Sequence, residues 1–237
     1  MEHKTVGIPQ SWIRDVETAA NSYLGYLMTF IRLAIGAFRG SFRWISHLIG
    51  LLPLSILLYE AATGQLTINP IQYLTFRTGK AALIMVVITL ACTPANTLFK
   101  FKEALKARRT FGLYTFLYAF LHVSIFVGLD YYFDFKLMIE TVLEKRYILV
   151  GLGAFIIFLL LALTSFKWWM KRLGKNWKRL HRLVYLGALL AVVHYTWLVK
   201  ADIRVPLLYG AGIVLLLVLR IPAVQGVFSN LHFRRDR

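Results

Sequence analysis

Six apolar runs, at 45–61, 78–93, 111–129, 147–166, 180–199 and 205–221, alternate with short polar segments along this chain. Crossing a hydrocarbon core of ~30 Å takes about 20 apolar residues as helix. The later runs approach that length, and the first two are completed by neighbouring residues in the interfacial zone. The pattern predicts an all-α integral membrane protein, a six-helix transmembrane bundle. An additional segment, 23–38, is apolar but interrupted by Arg32. It reads as an interfacial amphipathic helix; the alternative, a seventh span, would place the termini on opposite sides. The expected organisation is therefore a cytoplasmic N-terminal extension over 1–43, a transmembrane domain over 44–221 and a basic cytoplasmic tail over 222–237. Residues 1–20 are polar and show no signal peptide. No internal repeat is evident.

Composition supports a membrane class. Only 16% of residues are charged, below the ~25% usual in soluble domains. The charges are sorted by loop. Segment 94–110 carries Lys100, Lys102, Lys106, Arg108 and Arg109, and 167–179 carries Lys167, Lys171, Arg172, Lys175, Lys178 and Arg179 with no acid. Loop 130–146 holds Asp130, Asp134, Glu140 and Glu144 against three basic residues. With the N-terminus inside, this is the positive-inside arrangement. It accounts for the net charge of +17 without nucleic acid, and favours anionic lipid head groups as neighbours of the basic loops. The single cysteine, Cys92, excludes an intrachain disulfide framework and reads as a small buried hydrophobe.

Against this background, histidines inside apolar runs stand out. An intramembrane ionisable side chain is expensive and is read first as functional. His122 is in the third run; His181 and His194 share the fifth, 13 residues apart. Thirteen helical residues rise about 20 Å in about 3.6 turns, so His181 and His194 fall near one face at two depths. Runs three and five point the same way, and His122 and His194 fall at matching depth. Neutral imidazole is an axial ligand of haem iron, and two imidazoles at equal depth on separate helices could clamp one haem. The competing reading is a structural histidine bonding a carbonyl across a helix interface. His181, flanked by Arg179 and Arg182, reads equally as a snorkelling interfacial side chain. Arg109, 13 residues before His122, reads as a basic anchor beside Arg108 or as a group at the level of a second ligand. His3, His47 and His232 lack a site-like context. Gly79, Gly112, Gly151, Gly153 and Gly187 are places where helices or a porphyrin could approach closely. Tyr118, Tyr185, Tyr195 and Trp197 read as packing or interface anchors.

The ordered set INPIQYLTFRTGKAAL, TLACTP, RRTFGLYTFLYAFLHVSIFVGLD, EKRYILVGLGAF and LTSFKWWMKRLGKNWKRLHRLVYLGALLAVVHYTWLVKAD resembles the haem-binding membrane subunit of the bacterial periplasmic protein-methionine-sulfoxide reductase system. That family lies within the ferric-reductase-like transmembrane superfamily, and the resemblance covers about 45–221. It implies a haem b electron-transfer subunit in the bacterial inner membrane, not the subunit that reduces methionine sulfoxide. It implies a cytoplasmic flavin reductase as donor and a periplasmic molybdopterin catalytic subunit as acceptor, in repair of oxidised envelope proteins. It also implies FMN beside haem, and it carries His122, His181 and His194 over as cofactor-binding residues and iron ligands. Members of the superfamily often have two histidines on each of two helices. Here the third run has His122 alone, which favours one bis-histidine haem over two and leaves a second haem or a flavin near His181 open. Alternatives are a stand-alone ferric or quinol-linked reductase, and a non-redox membrane protein, which would be colourless when purified.

Overall fold

In a computed structural model of the chain, residues 41–199, 202–221 and 224 are described. The expected amphipathic segment at 23–38, almost all of the tail, and His3 and His232 lie outside them. The chain divides after Trp44, and the bundle belongs to the part from Ile45 onward. The described residues are helical and turn, with no strand.

Four helices are long and apolar enough to cross a membrane: α1 (Ser41–Ala62), α2 (Pro70–Phe99), α3 (Lys102–Ile125, continuing through a π-helical turn to Asp130) and α5 (Arg146–Leu163). Two further apolar helices, α8 (Leu183–Leu198) and α9 (Arg204–Val218), have 16 and 15 residues. Three short helices connect them: α4 (Phe135–Glu144) on one end, and α6 (Lys167–Leu173) and α7 (Lys175–Leu180) on the other. Each of the six apolar runs thus corresponds to one helix. The largest difference is α2, which extends the 78–93 run at both ends to 30 residues. Its start follows from local chemistry. Asn69 caps the helix by accepting the Gln72 N–H, and Pro70 occupies the first turn, where its missing N–H costs nothing.

Two proline breaks are bridged by side chains from other helices. A proline inside a helix cannot donate to the carbonyl four residues back, and its ring crowds that turn. Beside Pro53 in α1, the Tyr118 hydroxyl enters the ladder. It donates to Gly50 O at 2.6 Å and accepts from Leu54 N–H at 3.1 Å. Tyr118 is only 1% exposed, so α3 is locked to α1 through one oxygen. In α2, Pro94 leaves the Leu90 carbonyl without its helical donor, and Arg220 supplies one from beyond α9.

The helices pack as two pairs, α2 with α3 and α5 with α8. Smaller contacts join α3 to α5 and α9 to both α2 and α8. The shared core includes Leu83, Val86, Leu90, Phe158, Ala188 and Ile213, and Phe116 stacks on Phe155 where the pairs meet. Small residues permit the close approaches. A Cβ on Gly187 would stand 3.0 Å from the Phe158 ring, and one on Gly50 would overlap the Tyr114 ring. Tyr114 also bonds His47 at 3.1 Å, which places His47 in the α1–α3 interface.

Candidate cofactor pocket between two paired imidazoles

His122 on α3 and His194 on α8 face each other across the bundle, their ring centroids 6.2 Å apart and their planes at 82°. An imidazole nitrogen lies about 1.1 Å from its ring centre and about 2 Å from a metal it ligates. Two imidazoles on opposite sides of one metal atom therefore have centroids about 6 Å apart, the separation seen here.

The tautomers suit that role. His122 Nδ1 is 2.9 Å from Thr75 O on α2, and His194 Nδ1 is 2.7 Å from Tyr147 O on α5. A carbonyl only accepts, so each Nδ1 carries the proton and donates. The lone pair of each ring is thereby left on Nε2, the arrangement that second-shell carbonyls impose on metal-binding histidines. The carbonyl bonds foreseen as the structural alternative thus coexist with a free ligand nitrogen.

Glycines set the depth of each ring. A Cβ on Gly79 would meet His122 Nδ1 at 3.1 Å, and one on Gly151 would meet His194 Nδ1 at 2.6 Å. These two glycines make room for imidazole rather than for a neighbouring backbone. Gly112 and Gly153 have only ordinary contacts.

A repeat unseen in the sequence now becomes visible. Thr75, Gly79 and His122 recur as Tyr147, Gly151 and His194, with the acceptor carbonyl 47 residues before its histidine in both halves. Arg109 and His181 also correspond, each 13 residues before its histidine. The halves share spacing rather than side chains, so composition gives no sign of the relation.

Both histidines line a cavity of about 800 Å³. Its walls are mainly apolar, with Leu83 and Val86 from α2, Phe155 and Phe158 from α5, and Met138 and Val142 from α4. Arg77, Lys80 and Asp130 bring charge to it. Arg77 is paired with Glu60 at 2.8 Å, and Tyr73 donates to the same carboxylate at 2.8 Å. Lys80 lines the cavity without an ion pair among the described residues. An apolar slot lined by two imidazoles with unprotonated Nε2 atoms and by cations fits a flat metal macrocycle bearing carboxylates.

His181 is separate from this pair. The structure begins α8 at Leu183, so His181 sits in the turn before it. Its Nε2 is 3.2 Å from Thr164 Oγ1, and the Trp177 ring covers it at 4.0 Å. Thr164 already donates its hydroxyl proton to Leu160 O, so His181 Nε2–H is the donor and its lone pair lies on Nδ1. This is the opposite tautomer to His122 and His194. Burial holds the His181 imidazole down to about 4, and the positive charges of Arg108 and Arg109 act in the same direction. It is neutral at physiological pH. Arg109 itself is exposed.

This set of apolar helices, with two facing imidazoles in one slot, defines a membrane protein built to hold a cofactor between two helices. The sequence profile described as ferric reductase like transmembrane component matches residues 78–192. Three relatives are named protein-methionine-sulfoxide reductase heme-binding subunit MsrQ. That of Caulobacter vibrioides is 40% identical over 170 residues, covering 71% of this chain and 81% of the relative. That of Herminiimonas arsenicoxydans is 39% identical over 174 residues, covering 72% and 80%. That of Rhodospirillum rubrum is 41% identical over 164 residues, covering 68% and 79%. The chain belongs to the MsrQ family of haem-binding subunits.

Proposed function

We propose that this chain is the haem b electron-transfer subunit of a methionine sulfoxide reductase system in the bacterial inner membrane. It takes electrons from a cytoplasmic flavin reductase and delivers them to a periplasmic molybdopterin enzyme that repairs oxidised envelope proteins. The observation that carries this reading is the 6.2 Å pairing of His122 and His194 with their Nδ1 protons committed to carbonyls. Bound haem supplies a one-electron couple inside the apolar bundle.

The residues have distinct tasks in this reading. Thr75 and Tyr147 hold the imidazoles as ligands through their carbonyls, and Gly79 and Gly151 let the rings sit flush on α2 and α5. Arg77 and Lys80 are the cations available to the cofactor's carboxylates. The aliphatic and phenylalanine walls exclude water, which disfavours charge build-up and ties the redox potential to these side chains. Orientation follows from loop charge: 94–110 and 167–179 face the cytoplasm, and α4 faces the periplasm. His181 lies on the donor side, where Lys175, Lys178, Arg179 and Arg182 would attract an acidic donor surface or an FMN phosphate. We assign it to the entry step, as neighbour of a flavin or ligand of a second haem.

The test is the optical spectrum of detergent-purified protein, oxidised and dithionite-reduced. We expect a low-spin b-type spectrum that is lost in both His122→Ala and His194→Ala. A full low-spin spectrum in either variant would overturn the assignment. His181→Ala should keep that spectrum and slow reduction by the flavin reductase; an unchanged entry rate would remove His181 from that step.

A further inference from the structure

Arg220 reaches back from the end of α9 to the C-terminal half of α2, away from the residues that line the His122–His194 cavity. Its NH1 donates to the Tyr185 hydroxyl at 2.8 Å and its NH2 to Leu90 O at 2.5 Å, and the guanidinium lies 5.2 Å from the Tyr185 ring centre. These contacts explain its position, because Leu90 O is the acceptor that Pro94 leaves without a helical partner. They do not use all of its chemistry. Arg220 Nε is buried with no acceptor, and so is the hydroxyl of Thr93, three residues beyond Leu90 on α2. The groups that act electrostatically on Arg220 are Tyr185, Arg108 and Cys92, none of them a carboxylate. Arg108 acts on His181 as well. Arg108 thus adds positive charge to the surroundings of Arg220, and no acid is among the groups that act on it.

Such an arrangement is costly when left alone. A buried donor without an acceptor gives up its hydrogen bond to water with nothing in return, and an uncompensated buried charge costs more still. Guanidinium N–H groups beside a hydroxyl donor match the oxygens of a phosphate or carboxylate. We propose that Arg220 and Thr93 form a binding site for one oxyanion group at the basic end of the bundle, with the charge of Arg108 adding to the positive potential there. Tyr185 and Leu90 O hold the guanidinium in place, and Nε–H and the Thr93 hydroxyl are the donors left for the oxyanion. The site is distinct from the His122–His194 pocket and does not depend on what that pocket binds. The oxyanion has two chemical sources, a soluble phosphate group or the head group of an anionic phospholipid.

The test is thermal unfolding of the purified full-length protein, exchanged into phosphate-free buffer. Sodium phosphate is titrated against sodium chloride of equal ionic strength. In parallel, nanodiscs of phosphatidylglycerol are compared with nanodiscs of phosphatidylcholine. We expect a saturable rise in melting temperature, with apparent affinity about tenfold weaker in Thr93→Val and in Arg108→Gln. A response to inorganic phosphate identifies a soluble phosphate group as the ligand. A response confined to phosphatidylglycerol identifies a lipid head group. Both variants keep the Leu90 and Tyr185 bonds of Arg220, so neither removes the proline bridge. No response of the wild type to either probe would overturn the proposal, as would responses of the two variants equal to the wild type's.

Discussion

At the scale of single residues, oxygen and nitrogen atoms placed inside the bundle carry most of the information. The Tyr118 hydroxyl fills a break in α1, donating to Gly50 O and accepting from Leu54 N–H. Tyr118→Phe leaves the ring but strands both backbone groups beside Pro53. We expect a loss of about 1–3 kcal/mol in equilibrium unfolding, with an unaltered absorbance spectrum, since this hydroxyl is remote in role from the imidazole pair. A spectral change of the size caused by losing a ligand would show that α1 helps to shape the pocket. The sequence places Tyr118 among aromatic packing residues, which is correct in kind. It does not reveal the hydroxyl's partner, because that partner is a proline break 64 residues earlier in the chain.

At the scale of elements, the pocket depends on how closely α2 approaches α3, and α5 approaches α8. The two glycines make this measurable because their clearances differ. Gly151→Ala places a methyl 2.6 Å from the His194 ring, whereas Gly79→Ala places one 3.1 Å from His122. The first is an impossible contact and the second a tight one, so α5 or the imidazole must move in Gly151→Ala. We expect Gly151→Ala to lose most haem on purification and Gly79→Ala to retain more, as read by the ratio of haem absorbance to protein. Equal retention would indicate that α5 shifts freely against α8. The glycines are visible in the sequence as points of close approach, but what approaches them is decided by helix pairing. Likewise, matched depth of His122 and His194 is legible from run lengths alone. Their facing one another requires α3 and α8 to be neighbours across the bundle, which no local pattern states.

At the scale of the whole molecule, each half of the repeat contributes one imidazole, so a cofactor held by both would tie the halves together. A ligand bound only by the folded state raises stability by mass action, and partners acting through one shared ligand are not additive. We expect His122→Ala, His194→Ala and the double variant to melt at similar temperatures, all below the haem-loaded wild type. A double variant markedly less stable than both single ones would show that the imidazoles stabilise the bundle independently, through their carbonyl bonds to Thr75 and Tyr147.

The sequence by itself determined the class of structure, the positions of six apolar helices and the short set of histidines worth considering. It could do so because the demand for apolar length and the cost of a polar side chain in hydrocarbon act on each segment separately. Tertiary structure alone decided which nitrogen each imidazole offers, that His181 stands apart from the pair, and that Arg220 answers Pro94 from 126 residues away in the chain, through Leu90 O. It also exposed the repeat, since Thr75 and Tyr147 act through main-chain carbonyls that every residue type possesses. These are properties of atoms brought together by packing, and a one-dimensional pattern records side-chain character without recording which backbone groups meet.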